Sequence, residues 1–384
     1  MNSLTSQIAA SPAIQTKHVA EMRVLSTASA QWAHRPDDER YLTLDSLAQA
    51  VESRRARSTE TRGVALEHFD VKASGKEIVL YSKDAGVSAS GAKLTHASFG
   101  QLCQRSAVPA QYLRKLPAEL AAVNLSWSMG QAEAQDAKLL LTAPTSGEGM
   151  ADVRCLTSAS YGRIWDADIV RAVQRNCSPE WKIPAASYAT RDPKRATTLY
   201  ASDRDVFIFL VDDSRPIDVP NEPDHMMFRG FYVSNSETMH GSFVLASFLY
   251  DYVCDNRNIW GIKNFNELRI RLTSGAPDRW LRDARPMLTK YLEAGTQETA
   301  DVIRRAQETK LAENVKLLRE KLAVLKFNKG QIQGAIDYAE SMPGNPLSLW
   351  NVEQGLTAVA RDIPNTDDRL DVETRAGKLM SAVI

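Results

Sequence analysis

The sequence predicts an α+β protein: an N-terminal helical and β section, a central, mostly antiparallel sheet, and a C-terminal helical section packed on or beside it. Three observations carry this. Between Lys138 and Val253 the apolar residues fall in short runs rich in β-branched and aromatic side chains, with one helical interruption, DADIVRAVQRN. After Pro277 the pattern is almost continuously helical. The composition of the 384 residues, 43% hydrophobic and 24% charged, is that of an ordinary globular chain with enough apolar material for a sizeable core.

Residues 1–40 are rich in Ser, Ala and Thr and end in HRPDDER, and they read as a poorly ordered leader. An α+β core domain follows over residues 41–275. Leu44, Leu47, Ala48 and Val51 recur at helical spacing behind Thr43 as a cap, and this helix dissolves into ESRRARSTETRG, so Arg54, Arg55 and Arg57 are expected in or beside a loop. VALEHFDV and EIVLYS read as strands. From Thr95 a helix places Phe99, Leu102 and Cys103 on one face, and Pro109 and Pro117 suit the first turns of two more helices.

The β-rich part then runs KLLLTA, DVRCLTS, WKIPAASYA, ATTLYA, VFIFLVDD, MFRGFYVS and SFVLASFLYDYV. In the last of these Val244, Ala246, Phe248, Tyr250 and Tyr252 share one face and Phe243, Leu245, Ser247 and Leu249 the other, so both faces are expected to be covered. Residues 276–384 form the helical C-terminal section, with breaks near Gly295, Gly330, the PGNP of residues 343–346 and Pro364. Leu311, Val315, Leu318, Leu322 and Leu325 follow heptad spacing, which fits a packed bundle helix, or self-association if the stripe is free.

Lys plus Arg and Asp plus Glu both total 47, so no global charge steers the chain toward nucleic acid or an anionic membrane, and electrostatic recognition must come from a local patch. No apolar run approaches the roughly 20 residues that span a bilayer. The start MNSLTSQIAASPAIQ lacks the basic and long apolar regions of a signal peptide, so a cytoplasmic location is expected. Cys103, Cys155, Cys177 and Cys254 are far apart and read as reduced, packed thiols. There is no GxxxxGK[ST] loop, GxGxxG turn, HExxH or GxSxG elbow, so the expectation is a protein without an enzymatic step or a cofactor.

Three constellations carry candidate chemistry. Asp212, Asp213, Asp218, Asp224, His225, Glu237 and His240 offer carboxylates and imidazoles for a divalent ion, and a metal-dependent nuclease would use Asp212, Asp213 and Glu237. Their irregular spacing in a Pro- and Asn-rich stretch equally describes a solvated loop. Secondly, from Asn256 to Lys290 eight basic residues face three acidic ones. Arg257, Lys263, Arg269, Arg271, Arg279, Arg282 and Arg285 are interleaved there with Trp260 and Trp280, the mix of cations and stacking faces that holds single-stranded nucleic acid. The stretch Asp203–Met226 is acidic, seven against two, and can dock on this basic stretch within one molecule or between copies. Thirdly, Arg229 alternates with Met227, Phe231 and Val233 on a strand face, where a charge needs either a groove or a partner. Asn235 with Ser236 and Glu237 in the turn, and Asn256 beyond the next strand, serve as turn formers or as grips for a phosphate or sugar.

Three motifs, RCLTSASYGRIWDADIVRAV at 154–173, YVSNSETMHGSF at 232–243 and VCDN at 253–256, resemble the phage- and plasmid-borne family catalogued as domain of unknown function nine hundred and thirty-two. The matching positions are Arg154, Ser158, Tyr161 and Asp166, then Asn235, Ser236 and Gly241, then Cys254 and Asn256. The similarity extends over about residues 40–375. One departure is Glu237-Thr238-Met239-His240-Gly241, where the family more usually has Asp-Gly. The resemblance implies a gene of phages, prophages or plasmids and no particular reaction. The order of strands followed by a basic, aromatic helical segment is also similar to that of phage single-strand annealing recombinases. The expected function is therefore binding of single-stranded DNA in replication or recombination. The alternatives are a self-assembling or host-factor-binding protein and the nuclease above.

Overall fold

The computed structural model describes residues 36–132, 136–184, 197–220, 222, 226–251, 259–260, 267–361, 363 and isolated positions between 372 and 379. Within them the chain is α+β, with two sheets and helices at both ends. Strand β1 (Arg40–Tyr41) precedes helix α1 (Leu44–Ala56), whose first turn is capped by the Thr43 hydroxyl accepting from the Ser46 N–H, as the sequence anticipates. Leu47, Ala48 and Val51 anchor its buried face, Arg54 and Arg55 lie in its last turn and Arg57 is its C-cap, beside the loop that the sequence anticipates.

The next seven strands make one sheet: β2 (Ser58–Glu60), β3 (Val64–Ala65), β4 (Asp70–Ser74), β5 (Glu77–Tyr81), β6 (Ala92–Leu94), β7 (Asp136–Thr142) and β8 (Ala151–Ser158). VALEHFDV is not one strand, since residues Leu66–His68 form a 3-10 turn that separates β3 from β4. All described pairings are antiparallel except β6 with β8. Helices α2 (His96–Arg105), capped by Thr95, and α3 (Ala118–Gln131), with Pro117 at its N-cap, cover one face with Phe99, Leu102, Cys103, Leu125 and Met129. Burial pushes the Cys103 and Cys155 thiols up to about 11, so both are inert packed groups.

Helix α4 (Asp166–Asn176) leads into the second sheet, formed by β1 with β9 (Trp181–Lys182), β10 (Leu199–Ala201), β11 (Val206–Asp218), β12 (Met226–Asn235), β13 (Phe243–Asp251), β14 (Ile259–Trp260) and β15 (Glu267–Ile270). The strands expected to make one central sheet are thus shared out: KLLLTA and DVRCLTS belong to the first sheet, and the second is built on the long β11–β12–β13 meander. Its two faces alternate as the pattern requires. Phe231, Val233, Phe243 and Leu245 pack with α1 and α4, while Phe228, Tyr232, Val244 and Ala246 form the opposite buried face.

A helical rod begins at Ala276, passes through a π turn at Trp280–Ala284 and ends as α5 (Arg285–Glu293). Trp280, Ala284 and Leu288 bury its inner side against the second sheet. Helices α6 (Gln297–Glu308), α7 (Val315–Val324), α8 (Lys329–Ser341) and α9 (Leu349–Arg361) then form a bundle around Trp350. Leu318 and Leu322 are buried in it, which is the bundle reading of the heptad stripe. The break expected at Gly330 falls earlier: α7 ends at Val324, Lys326 takes a positive φ of 65°, and a capping box of Asn328 and Gln331 restarts the chain. At Gly355 a Cβ would stand 2.2 Å from the Ala335 carbonyl oxygen, so glycine is what lets α8 and α9 touch.

Candidate nucleic-acid interface

The segment Tyr161–Trp165 joins β8 to α4 and lies against the exit of the second sheet. Tyr161 pairs with Thr273, the Gly162 N–H donates to the Leu272 carbonyl at 3.2 Å, and a Cβ at Gly162 would meet the Thr273 carbonyl oxygen at 2.1 Å. Only glycine permits this approach. The segment is extended, so Tyr161, Arg163 and Trp165 point to the same side, and the Arg163 guanidinium lies 5.2 Å from the Tyr161 ring and 5.5 Å from that of Trp165.

These residues floor a cleft of about 630 Å³. One wall is the outer face of α4, with Asp168, Arg171 and Arg175 at helical spacing, and the other is the rod that starts at Ala276, with Trp280, Leu281 and Arg285. Glu60 and Lys138 close the floor. Five cations therefore line the cleft against two carboxylates. Arg171 is bonded to Glu52 at 2.6 Å, and Lys138 donates to the Tyr161 carbonyl at 2.7 Å. Arg175 and Arg285 are exposed and have no acidic partner among the described residues. Arg163 is 4% exposed; one of its nitrogens donates to Glu60 at 3.0 Å, while Nε and Nη1 are buried without an acceptor.

Behind the cleft lies a buried charge cluster that ties the two sheets together. Arg154 on β8 donates to Glu237 Oε2 at 2.8 Å and to the Asp203 carbonyl at 3.0 Å. The Asp166 N–H, at the start of α4, donates to Glu237 Oε1 at 3.0 Å. Arg54 donates to Asp166 Oδ2 at 2.8 Å, and Asn235 to Asp166 Oδ1 at 2.7 Å and to the Ile164 carbonyl at 2.9 Å. The Tyr161 hydroxyl donates to the Ser236 carbonyl, and Gln101 to that of Thr238. Burial, reinforced by Glu237, pushes the Asp166 carboxyl up to about 7 against the pull of Arg54. Burial alone would raise Glu237 as well, but Arg54 and Arg154 outweigh it and hold that carboxyl below its usual range.

The residues singled out in the sequence meet different fates. Arg154, Tyr161, Asp166, Asn235 and Ser236, scattered over two of the motifs, come together in this cluster. Asn235 is 1% exposed and is a structural bridge between α4 and the turn, not a grip on a ligand. Arg229 is a second correction: it is buried, donates to the Tyr291 and Ala294 carbonyls, and sits 4.4 Å from the Tyr291 ring. Its partners are the orphan acceptors at the end of α5, and among the described residues it makes no ion pair, although Asp212 is its cross-strand neighbour. Trp280 is 5% exposed and edge-on to Phe243 at 5.1 Å, so it lines the cleft as a wall and does not stand free as a stacking platform.

Arg269 and Arg271 are exposed around β15; Arg279 donates to the Arg271 carbonyl at 2.7 Å, and Arg282 pairs with Asp283 at 2.9 Å. Of Arg279, Arg282 and Arg285 on the rod, it is Arg285 that reaches the cleft. Trp260 is placed on β14 opposite Leu249. Asn256, Arg257 and Lys263, like Cys254, lie outside the described residues.

Asp224 and His225 of the metal constellation lie outside the described residues, and its described members are dispersed. Asp212 is buried and bonded to Arg215 at 2.6 Å, Asp213 pairs with Lys182 at 3.1 Å, and Glu237 is neutralised by Arg154. Asp212 lies opposite Arg229 and Val206 opposite Asn235, so Asp212 and the Glu237 turn are separated by six residues of ladder, roughly 20 Å. Among the described residues no group of His, Cys, Asp and Glu could hold a metal ion. No described helix is long and apolar enough to cross a membrane.

Sequence reasoning missed Lys138, Arg163, Trp165, Arg171 and Arg175. The signal for two of them was present in YGRIW, where an arginine alternates with two aromatic residues immediately before a helix. Comparison with protein-family models, with curated proteins and with solved structures finds no match for this chain.

Proposed function

We propose that the chain is a phage- or plasmid-type protein that binds single-stranded DNA, without an enzymatic step, in the cleft between the Tyr161–Trp165 segment and the rod beginning at Ala276. The observation that supports this best is the pair of exposed cations, Arg175 and Arg285, that line the cleft from α4 and from the rod and have no acidic partner among the described residues. Cations neutralise phosphates and release counterions, a sequence-independent contribution to binding a strand. The phage and plasmid part of the reading rests on the sequence motifs, whose residues converge on the cluster directly behind the cleft.

A fluorescence-polarisation titration with labelled oligo-dT over a range of salt concentrations tests it. Binding should weaken as salt rises. The Arg175→Ala, Arg285→Ala double variant should reduce both affinity and the slope of log affinity against log salt, by about 0.7 for each phosphate it no longer neutralises. Absence of binding at low salt, or an unaltered slope in the double variant, sinks the reading.

A second reading, association between copies, is favoured by one surface. Leu120, Val123 and Trp127 are 53%, 66% and 70% exposed on one face of α3, with Tyr112 exposed nearby. Light scattering of the protein and its Trp127→Glu variant decides it: a monomer in both cases removes this reading.

A further inference from the structure

We propose that the outer face of α3 joins two copies of the chain as an antiparallel helix pair about a two-fold axis. This deepens the reading of association between copies and rests on it. Of the 14 residues of α3 only Glu119 is charged. Ala121, Ala122, Leu125 and Met129 pack into the core of the first sheet, while Leu120, Val123 and Trp127 on the opposite side are each more than half exposed. A helix that is apolar on both sides belongs between two layers, and this chain supplies one of them.

The pattern on that face selects a second copy as its occupant. Leu120, Val123 and Trp127 are spaced by three and then four residues, the spacing of a helix–helix seam, and they are symmetric about a point between Val123 and Asn124. With the two-fold axis at that point, Leu120 meets Trp127 of the partner subunit twice over and Val123 packs at the centre, so each apolar group finds an apolar one. Glu119 falls opposite Ser128 and meets no like charge. The ends are complementary as well. Arg114 and Lys115 precede the helix and Asp136 follows it, all three exposed, and Glu133 lies between the helix and Asp136 in the sequence. An antiparallel pair sets the cationic end of one copy beside the acidic end and the last helix carbonyls of the other, whereas a parallel pair stacks like charges. At Gly130 a Cβ would meet nothing, which leaves room for Pro117 of the partner subunit.

Sedimentation velocity of the full chain over roughly 1–200 μM, the range in which a small interface associates, should show a dimer. Trp127→Glu should raise the dissociation constant about thirtyfold or more, the loss of an aromatic anchor, with the urea midpoint unchanged because the side chain is exposed in one copy. Cysteine pairs read the geometry. Val123→Cys should form a disulfide with its own copy under mild oxidation, and Leu120→Cys mixed with Trp127→Cys should cross-link to each other more than either does to itself. Lys316→Cys, exposed on α7, is the control. A monomer at every concentration overturns the association reading and this inference together. A dimer in which Val123→Cys cross-links no better than Lys316→Cys overturns the α3 pairing and leaves association standing. Self-cross-linking of Trp127→Cys without cross-linking to Leu120→Cys overturns the antiparallel arrangement. A monomer that binds anionic vesicles and loses this binding in Trp127→Glu assigns the face to a lipid surface instead.

Discussion

Arg154 and Glu237, 83 positions apart in the chain, meet at 2.8 Å with both side chains buried, and their ion pair fixes the tip of the β12–β13 hairpin to strand β8 of the other sheet. Arg54 and Asp166 complete the arrangement, so two guanidiniums and two carboxylates share one dry volume. Breaking such a set from one side leaves a charge without compensation.

Glu237→Gln should therefore destabilise the protein by about 3–5 kcal/mol, the cost of stranding a buried charge. Urea denaturation of the variant measures it. A loss within experimental error would mean that the cluster is hydrated in solution.

The Asp166 carboxyl gives stability a pH signature. Its folded-state value of about 7 lies above the ordinary 3.8, so the folded protein holds this proton more tightly than the unfolded chain does. The associated stability is complete below about pH 4 and is lost as pH rises toward 7. Glu237 acts in the opposite sense, and its contribution is lost only as pH falls below the usual carboxylate range. The urea midpoint should thus be higher at pH 5 than at pH 7.5, and Asp166→Asn should flatten that difference.

Arg229 separates stability from binding. Arg229→Met removes both hydrogen bonds to the end of α5, an expected loss of roughly 2–3 kcal/mol in a thermal or urea melt, with oligonucleotide affinity unchanged where the variant is folded.

Arg282→Ala and Arg285→Ala test which part of the basic stretch matters. Arg282 is exposed and paired with its neighbour Asp283, whereas Arg285 lines the cleft. Polarisation titrations should show affinity falling for Arg285→Ala and holding for Arg282→Ala.

Gly162→Ala should cost about 1–3 kcal/mol from overpacking against the Thr273 carbonyl and should weaken oligonucleotide binding as well, because the floor of the cleft moves with it. Gly275→Ala, where a Cβ meets nothing, is the control on the same side of the cleft.

The fold class and most elements were legible because they depend on local periodicity and capping: Thr43 and Thr95 announce their helices, and the alternation in β13 assigns the faces that Phe243 and Val244 take. Division into two sheets was not, because strand partners are set by pairings across many residues, such as β2 with β7. The site was legible in part. Charge and aromatic composition drew attention to residues 256–290, but composition does not report which arginines are already bonded to carbonyls or neighbouring carboxylates. Lys138, Arg163 and Arg175 belong to three separate elements and meet only in three dimensions.

The keystone position of Glu237 also orders events during synthesis. Every strand of the first sheet has been made once residue 158 is translated, and Arg54 gains its partner Asp166 soon after, yet Arg154 meets its carboxylate only after residue 237 has left the ribosome. A nascent chain halted between those points holds the Arg154 guanidinium without the carboxylate that lets it enter the interior, so its first sheet should stay loosely closed and open to proteases until the hairpin arrives.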